Sequence, residues 1–371
     1  MTIVVGARPN FMKAAPVLSA LQARRDGSGG DPRFDVKLVN TGQHYDERMA
    51  GSFLRDLGFP APDADLEVGS GSHGQQTAQV VERFEAWLAA HPQELVVVVG
   101  DVNSTLAAAL AAVKLRIPVA HVEAGLRSFD RTMPEELNRM ATDALASLLF
   151  VTEPAGVENL RREGARMDRV AFVGNTMIDT LLRFRDRALE MPPPKEWPAR
   201  FGVVTLHRPS NVDLEQPLRA IVSALADVAR DLPLVWTVHP RTERRLAEFG
   251  LEKPARAAPG LTLVPPLCYV EFLAAMARAK LVLTDSGGVQ EEALVLRVPV
   301  VTLRENTERP VTVACGGNVL AGSDPDRIRA GARAMLAKDP RSFGVPEKWD
   351  GRAAERIVDR IEPFLDGGAG L

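Results

Sequence analysis

The run LVVVVGDVNSTLAAALAAVKLRIPVAHVEAG, Leu95 to Gly125, decides the fold class. A valine-rich apolar run, LVVVV, gives way to a segment of helical character and then to a second apolar run, IPVAHV. Strands that read as continuous apolar runs are buried on both faces, and helices between them make the connections of a parallel sheet. The alternation extends outward in both directions. TIVV, VKLVN, LLFVT and VAFVG complete the first half, and FGVVTL, PLVWTV, LTLV, KLVLT and VPVVTL restart the pattern in the second. The expected architecture is α/β, with two doubly wound, Rossmann-like domains facing a central cleft. Between the halves, DTLLRFRDRALEMPPPKEWPAR reads as a helix running into a proline cluster, which suits a connector. The expected boundaries are 1–174 and 175–349.

Size and charge agree with this division. The chain has 371 residues and is 46% hydrophobic, and one core usually divides beyond about 250 to 300 residues. Its 45 basic and 48 acidic side chains are interspersed and leave a net charge of −3. No whole-protein field therefore argues for nucleic acid or an anionic membrane as partner, and any anion site must be local. Cys268 and Cys315 match neither a metal spacing nor a disulfide framework, which suits a reducing compartment. No apolar run reaches about 18 residues, and the first residues begin a strand without a signal-peptide pattern. A soluble, cytoplasmic protein is expected.

In doubly wound sheets ligands bind outside the carboxyl ends of the strands, so the residues there carry the functional reading. After the first strand, GARPNFMKAAPVLSAL brings Arg8 and Lys13 to a helix start marked by Pro9, either a phosphate site or a solvated basic turn. Asp101 directly follows a buried strand and either caps the next helix or serves chemistry. HVEAGLRSFDRTMPEELNRMATD, from His121, alternates acids and bases at another strand end. Glu135 and Glu136 open a helix after Pro134, where the dipole accounts for one of them, but it does not account for Glu123. In the second half, His207 and Arg208 end one strand and His239 the next. LTDSGGVQEEA offers unhindered N–H groups at Ser286, Gly287 and Gly288, suited to a diphosphate, with Glu291 and Glu292 in the first turns. A carboxylate there could accept both hydroxyls of a ribose. Arg304 and Arg309 follow in a segment that could equally be a solvated loop.

Taken in order, GARPNFMKAAPVL, TGQHYDERM, VVGDVNSTLA, HVEAGLRSFDRTMPEELNR, VTLHRPSN, LTDSGGVQEEA and TERP resemble the non-hydrolysing UDP-N-acetylglucosamine 2-epimerases, over nearly the whole chain. The resemblance implies a two-domain fold of the glycosyltransferase-B type. It also implies a nucleotide-sugar cleft between the halves and a final helix, within 350–371, crossing back to the N-terminal domain. Arg8, Lys13, Asp101, Glu123, Glu135 and His207 match the family's catalytic-cleft positions. Leu267, Phe272, Ser286, Gly287, Gly288, Glu292 and Arg309 match its uridine and diphosphate contacts. The chain departs from relatives at HRPSN, where many read HRREN. It departs again where Gln43 and His44 are followed by Tyr45 and Asp46, which puts in doubt a regulatory substrate site built on Gln-His-x-Gln; Arg208 and His239 keep part of that surface.

The implied reaction is reversible epimerisation at C2 of UDP-N-acetylglucosamine to UDP-N-acetylmannosamine through a 2-acetamidoglucal, supplying such sugars for polysaccharide synthesis. Asp101, Glu123, Glu135 and His207 would be catalytic and Arg208 substrate-binding. No metal or nicotinamide cofactor is expected, and a homodimer is. Arg127, Asp130, Arg131 and Arg139 are expected to hold their loop by ion pairs. The alternatives are a 2-epimerase of a UDP-2,3-diacetamido uronic acid and a UDP-sugar glycosyltransferase.

Overall fold

The structure, a computed structural model, describes residues 1–25, 30–42 and 59–367, apart from the side chain of Arg8. It divides into two compact units, Met1–Thr180 with Glu347–Leu371, and Leu181–Pro346.

Among the described residues, the first unit holds a seven-stranded parallel sheet in the order β3-β2-β1-β4-β5-β6-β7. These strands are β1 (Thr2–Val5), β2 (Lys37–Asn40), β3 (Ala64–Asp65), β4 (Val96–Val99), β5 (Val119–Ala124), β6 (Leu148–Val151) and β7 (Val170–Phe172). Every residue of β1, β4, β5 and β6 is buried, as unbroken apolar runs require when helices cover both faces. The alanine-rich helix Asn103–Lys114 packs in the core with the helix His73–Ala90, its small side chains allowing close approach to the sheet. The second unit repeats the plan with β10-β9-β8-β11-β12-β13, all parallel. Its strands are β8 (Gly202–Thr205), β9 (Leu234–Thr237), β10 (Leu261–Val264), β11 (Val282–Thr284), β12 (Val300–Thr302) and β13 (Asn318–Leu320). Each sheet reverses its winding beside its first strand, between β1 and β4 and between β8 and β11. Loops diverge at such a switch point and leave a crevice at the carboxyl ends.

The division falls after Thr180 rather than at 174, because the first turn of the helix Thr176–Glu190 is bonded into the first unit. Pro16 interrupts the helix Arg8–Ala23, and having no N–H it leaves the carbonyl of Met12 without its helical donor. Thr180 Oγ1 donates to that carbonyl at 2.6 Å. Asp179 accepts from the N–H groups of Ala353 (3.1 Å) and Ala354 (2.7 Å), capping the final helix Ala353–Asp366. That helix packs on Arg8–Ala23, joined by Arg24 to Asp359 at 2.9 Å. The returning segment begins at Glu347, and Trp349 Nε1 donates to Thr152 O at 2.9 Å.

Gly174 lies under this return. Its φ is +93°, and a Cβ there would come within 2.0 Å of Lys348 O. Gly174→Ala should therefore cost about 2 to 4 kcal/mol through strain and a backbone clash. The urea unfolding midpoint measures this, and an unchanged midpoint would show that the return is not held in place here.

Candidate active site

In the first unit the charged groups gather around Gly100, the residue after β4. Gly100 has φ +69°, and a Cβ on it would lie 3.1 Å from Lys13 Nζ and 3.3 Å from both Asn10 Nδ2 and Glu123 Oε2. The absent side chain lets these three groups meet against the backbone. Asn10 accepts from Ala7 N and donates to Val99 O, tying the start of the helix Arg8–Ala23 to the end of β4. Lys13 Nζ pairs with Glu123 Oε2, and both residues are buried. An isolated charge in that environment would be expensive, so each makes the other tenable.

Glu123 reaches this position because β5 bulges. The β5–β6 register shifts between Val122 and Ala124, leaving Glu123 as the extra residue, with φ +78°. A bulge re-aims one side chain out of the strand alternation, and the left-handed conformation of a non-glycine residue is sustained only where surroundings enforce it. Asp101 continues from Gly100. Its carboxylate is 3.1 Å from Arg139 Nη2, its carbonyl accepts from Asn138 Nδ2 at 3.0 Å, and 29% of its side chain stays accessible.

The structure separates the two acids that open the helix Pro134–Leu145. Glu136 is buried and accepts from Ser128 N (2.9 Å), Ser128 Oγ (3.1 Å) and Phe129 N (2.9 Å), closing the preceding loop. Glu135 is only half-buried. Arg127 pairs with Asp143 and Glu163, Arg139 with Asp101 and Glu136, and Asp130 accepts from Thr132 N and Oγ1. Of the four residues expected to hold this loop by ion pairs, Arg127 and Arg139 do so, Arg139 through the candidate acid Asp101, whereas Asp130 is bonded by Thr132 within the loop.

In the second unit Asp285, directly after β11 and fully buried, organises the switch point. It accepts from His207 N (3.1 Å), Arg208 N (2.9 Å) and Asn211 Nδ2 (3.1 Å), and its Oδ1 is 3.2 Å from His207 Nδ1. Burial holds the His207 imidazole below its ordinary pKa, opposed by Asp285 and assisted by Arg208. The ring keeps 37% of its surface accessible and is held in place by its contact with Asp285. His239 lies 5.7 Å from it, ring centre to ring centre, and accepts from Arg241 N to cap the helix Pro240–Glu248.

Ser286 is the N-cap of the helix Gly287–Val295, and no side-chain bond closes that cap. A Cβ on Gly287 would meet only Glu308 Oε2, at 3.9 Å. Packing does not require a glycine there, whereas an anion approaching the helix N-terminus would use the space. Gly288 follows in the same turn. Buried Glu292 accepts from Tyr269 OH at 2.8 Å, in contact that fixes the carboxylate, and burial together with Glu292 raises the tyrosine pKa well above its usual value. Leu267 precedes the helix Tyr269–Arg278 and Phe272 lies within it, both half-buried. Arg309 is buried 2.5 Å from Glu291, and Arg304 is buried 2.8 Å from Glu308. The solvated-loop reading of these arginines therefore does not hold: paired carboxylates draw both inside.

Arg8 opens its helix, but its side chain lies outside the described residues, as do Gln43 and His44. Asn10, Tyr269 and Asp285 were not singled out from sequence. Asp285 had the clearest signal, an acid immediately following a buried strand. Among the described residues no cluster of three or more His, Cys, Asp or Glu side chains is placed to hold a metal ion, and no helix is long and apolar enough to cross a membrane.

The family model for UDP-N-acetylglucosamine 2-epimerase matches residues 29–362. The chain belongs to the UDP-N-acetylglucosamine 2-epimerase family. It is 39% identical to the UDP-N-acetylglucosamine 2-epimerase of Methanocaldococcus jannaschii, over 96% of this chain and 97% of that one. It is 38% identical to the UDP-2,3-diacetamido-2,3-dideoxy-D-glucuronate 2-epimerase of Pseudomonas aeruginosa, over 96% of this chain and 98% of that one. The crystal structure of the M. jannaschii enzyme in complex with UDP-GlcNAc and UDP superposes with a TM-score of 0.88 at 38% identity, covering 98% of this chain and 99% of that one. Both units have the doubly wound parallel sheets of the glycosyltransferase-B type.

The division of labour between Glu135 and Glu136 is open to measurement. Glu136→Ala removes the acceptor for three donors at Ser128 and Phe129 and should cost about 1.5 to 3 kcal/mol, the range for hydrogen bonds to charged groups. Amide exchange at Ser128 and Phe129 should accelerate with it. Unchanged protection at both amides would contradict the loop-closing role.

Proposed function

We propose that this protein interconverts UDP-N-acetylglucosamine and UDP-N-acetylmannosamine by inverting C2. The observation that carries this reading is the carboxylate cluster around Gly100, with Glu123 turned in by a bulge and paired to Lys13. Together with the open N-terminus at Ser286 and Gly287, it favours an epimerase over a glycosyltransferase, which needs no such cluster of acids.

The C2–H bond of an N-acetylhexosamine is not acidic enough for a protein carboxylate to invert through a free carbanion, so the reaction borrows a leaving group. A base takes the C2 proton as the C1–O bond to UDP breaks. The electron pair of C2–H becomes the C1=C2 bond of a 2-acetamidoglucal, and UDP departs with the C1–O pair. In re-addition a UDP phosphate oxygen bonds to C1 and a proton is delivered to the opposite face of C2. Proton traffic on two faces calls for more than one acid or base. Asp101, Glu123 and Glu135 supply these, with Arg139 and Lys13 setting the charge beside the first two. Arg8, Lys13, Arg208, His207 and the helix N-terminus at Ser286, Gly287 and Gly288 receive the developing charge on UDP. Glu292, steadied by Tyr269, takes the ribose hydroxyls, Leu267 and Phe272 flank the uracil, and Arg309 fixes the nucleotide loop through Glu291. The cycle as written calls on neither a metal ion nor a nicotinamide. The protein acts in the cytoplasm as a homodimer and supplies ManNAc-type sugars for polysaccharide synthesis. Gln43, His44 and His239 are the residues to examine for regulation by a second substrate molecule.

A second reading follows from the P. aeruginosa relative, 38% identical: the substrate is a UDP-2,3-diacetamido uronic acid. Incubation of the purified protein with each nucleotide sugar separates the two, with the C2 epimer identified by NMR. The N-acetylglucosamine derivative should be converted faster, and failure to convert it would overturn the primary reading. Asp101→Asn, Glu123→Gln and Glu135→Gln should each lower turnover at least about 100-fold, the scale of general acid–base groups, with UDP binding retained. Normal turnover in any one would remove that residue from the chemistry.

A further inference from the structure

His121 has no part in the steps above, yet it is fully buried beside the residues that do. Its ring makes hydrogen bonds through both nitrogens: Nδ1 lies 2.7 Å from Asp143 Oδ1 and Nε2 lies 2.8 Å from the carbonyl of Gly100. A backbone carbonyl can only accept, and so can an ionised carboxylate. Neutral imidazole has one N–H and satisfies only one of the two. Asp143 also accepts from Gly125 N at 3.0 Å and lies 2.7 Å from Arg127 Nη2. Burial raises this carboxyl, but His121 and Arg127 outweigh it and hold Asp143 below the usual carboxylate range. With Arg127 and Gly125 N both donating to its Oδ2, Asp143 is an ionised acceptor and leaves the ring to donate at both ends.

We infer that His121 is a doubly protonated imidazolium, pinned by Asp143, that locks the Gly100 peptide and thereby positions Glu123, Lys13 and Asp101. The lock acts on both sides of the bulge. Through His121, Asp143 fixes the carbonyl of Gly100, whose N–H is already bonded to Val122 O at 3.0 Å. Directly, it fixes Gly125, two residues beyond Glu123. Lys13, Asn10 and Glu123 fill the space that a side chain on Gly100 would take, and Asp101 continues from it, so a turn of this peptide disturbs the whole cluster. The charges facing Asp143 are His121 and Arg127, and Arg127 also reaches the exposed Glu163 at the surface. A fully enclosed ring cannot reach substrate. His121 and Asp143 are positioning residues, and only their effect on turnover rests on the epimerase reading.

The test is the ring-nitrogen NMR spectrum of the full-length protein labelled with 15N-histidine, recorded near pH ~8.5, about two units above the ordinary histidine pKa. One histidine should keep both nitrogens protonated there and should vanish from the spectrum in His121→Gln. If no histidine of the parent protein is doubly protonated at that pH, the inference falls, whatever any variant does. In Asp143→Asn the signal should become that of a neutral ring, and kcat for the nucleotide sugar should drop at least about 100-fold while the Kd for UDP stays within about threefold. A folded Asp143→Asn protein with parental kcat would overturn the positioning role. If the parent converts neither nucleotide sugar, the functional reading fails by itself, and the ring spectrum still decides the state of His121.

Discussion

The buried ion pair of Lys13 with Glu123 is the constraint on which the first unit's site depends. Breaking such a pair by removing one member leaves a charge without water or partner, at a cost of about 3 to 5 kcal/mol. That cost explains features that otherwise look unfavourable. Glu123 is held in a left-handed conformation, β5 surrenders a rung of its ladder with β6, and Gly100 gives up a side chain so that Lys13 and Glu123 can meet against its backbone. Asn10 then ties the helix that carries Lys13 to the end of the strand that precedes Gly100.

The second unit meets the same topological situation with a different device. At its switch point a single buried carboxylate, Asp285, gathers the backbone N–H groups of His207 and Arg208 and the side chain of Asn211. This leaves the neighbouring helix N-terminus, at Ser286 and Gly287, open for an anion. The first unit therefore sets its acids against Lys13 and Arg139, and the second concentrates donors around one acid. The proposed chemistry has the same asymmetry, with proton transfer at C2 and charge accumulating on departing UDP.

Much of the fold was legible because its central strands are unbroken apolar runs. The strands that escaped were β3, Ala64–Asp65, and β13, Asn318–Leu320, short edge strands without such a run. The candidate acids were legible as charges standing where a buried strand ends. Their partners were not, because pairing is a property of three dimensions: nothing near Lys13 in the sequence shows that a bulge will bring Glu123 against it. Glu135 and Glu136 are adjacent and chemically alike, and only the loop at Ser128 and Phe129 tells them apart. His121 reads as one more residue of an apolar strand, and Asp143, lying 22 positions away, gives no local sign that it will face the ring.

The central claim is that this carboxylate cluster exchanges the proton at C2. The most direct measurement is turnover of UDP-N-acetylglucosamine in D2O, followed by NMR of the sugar. The account predicts deuterium at C2 in the product, with uptake abolished in Glu123→Gln under conditions where UDP still binds. Epimerised product that retains the original hydrogen at C2 would contradict it.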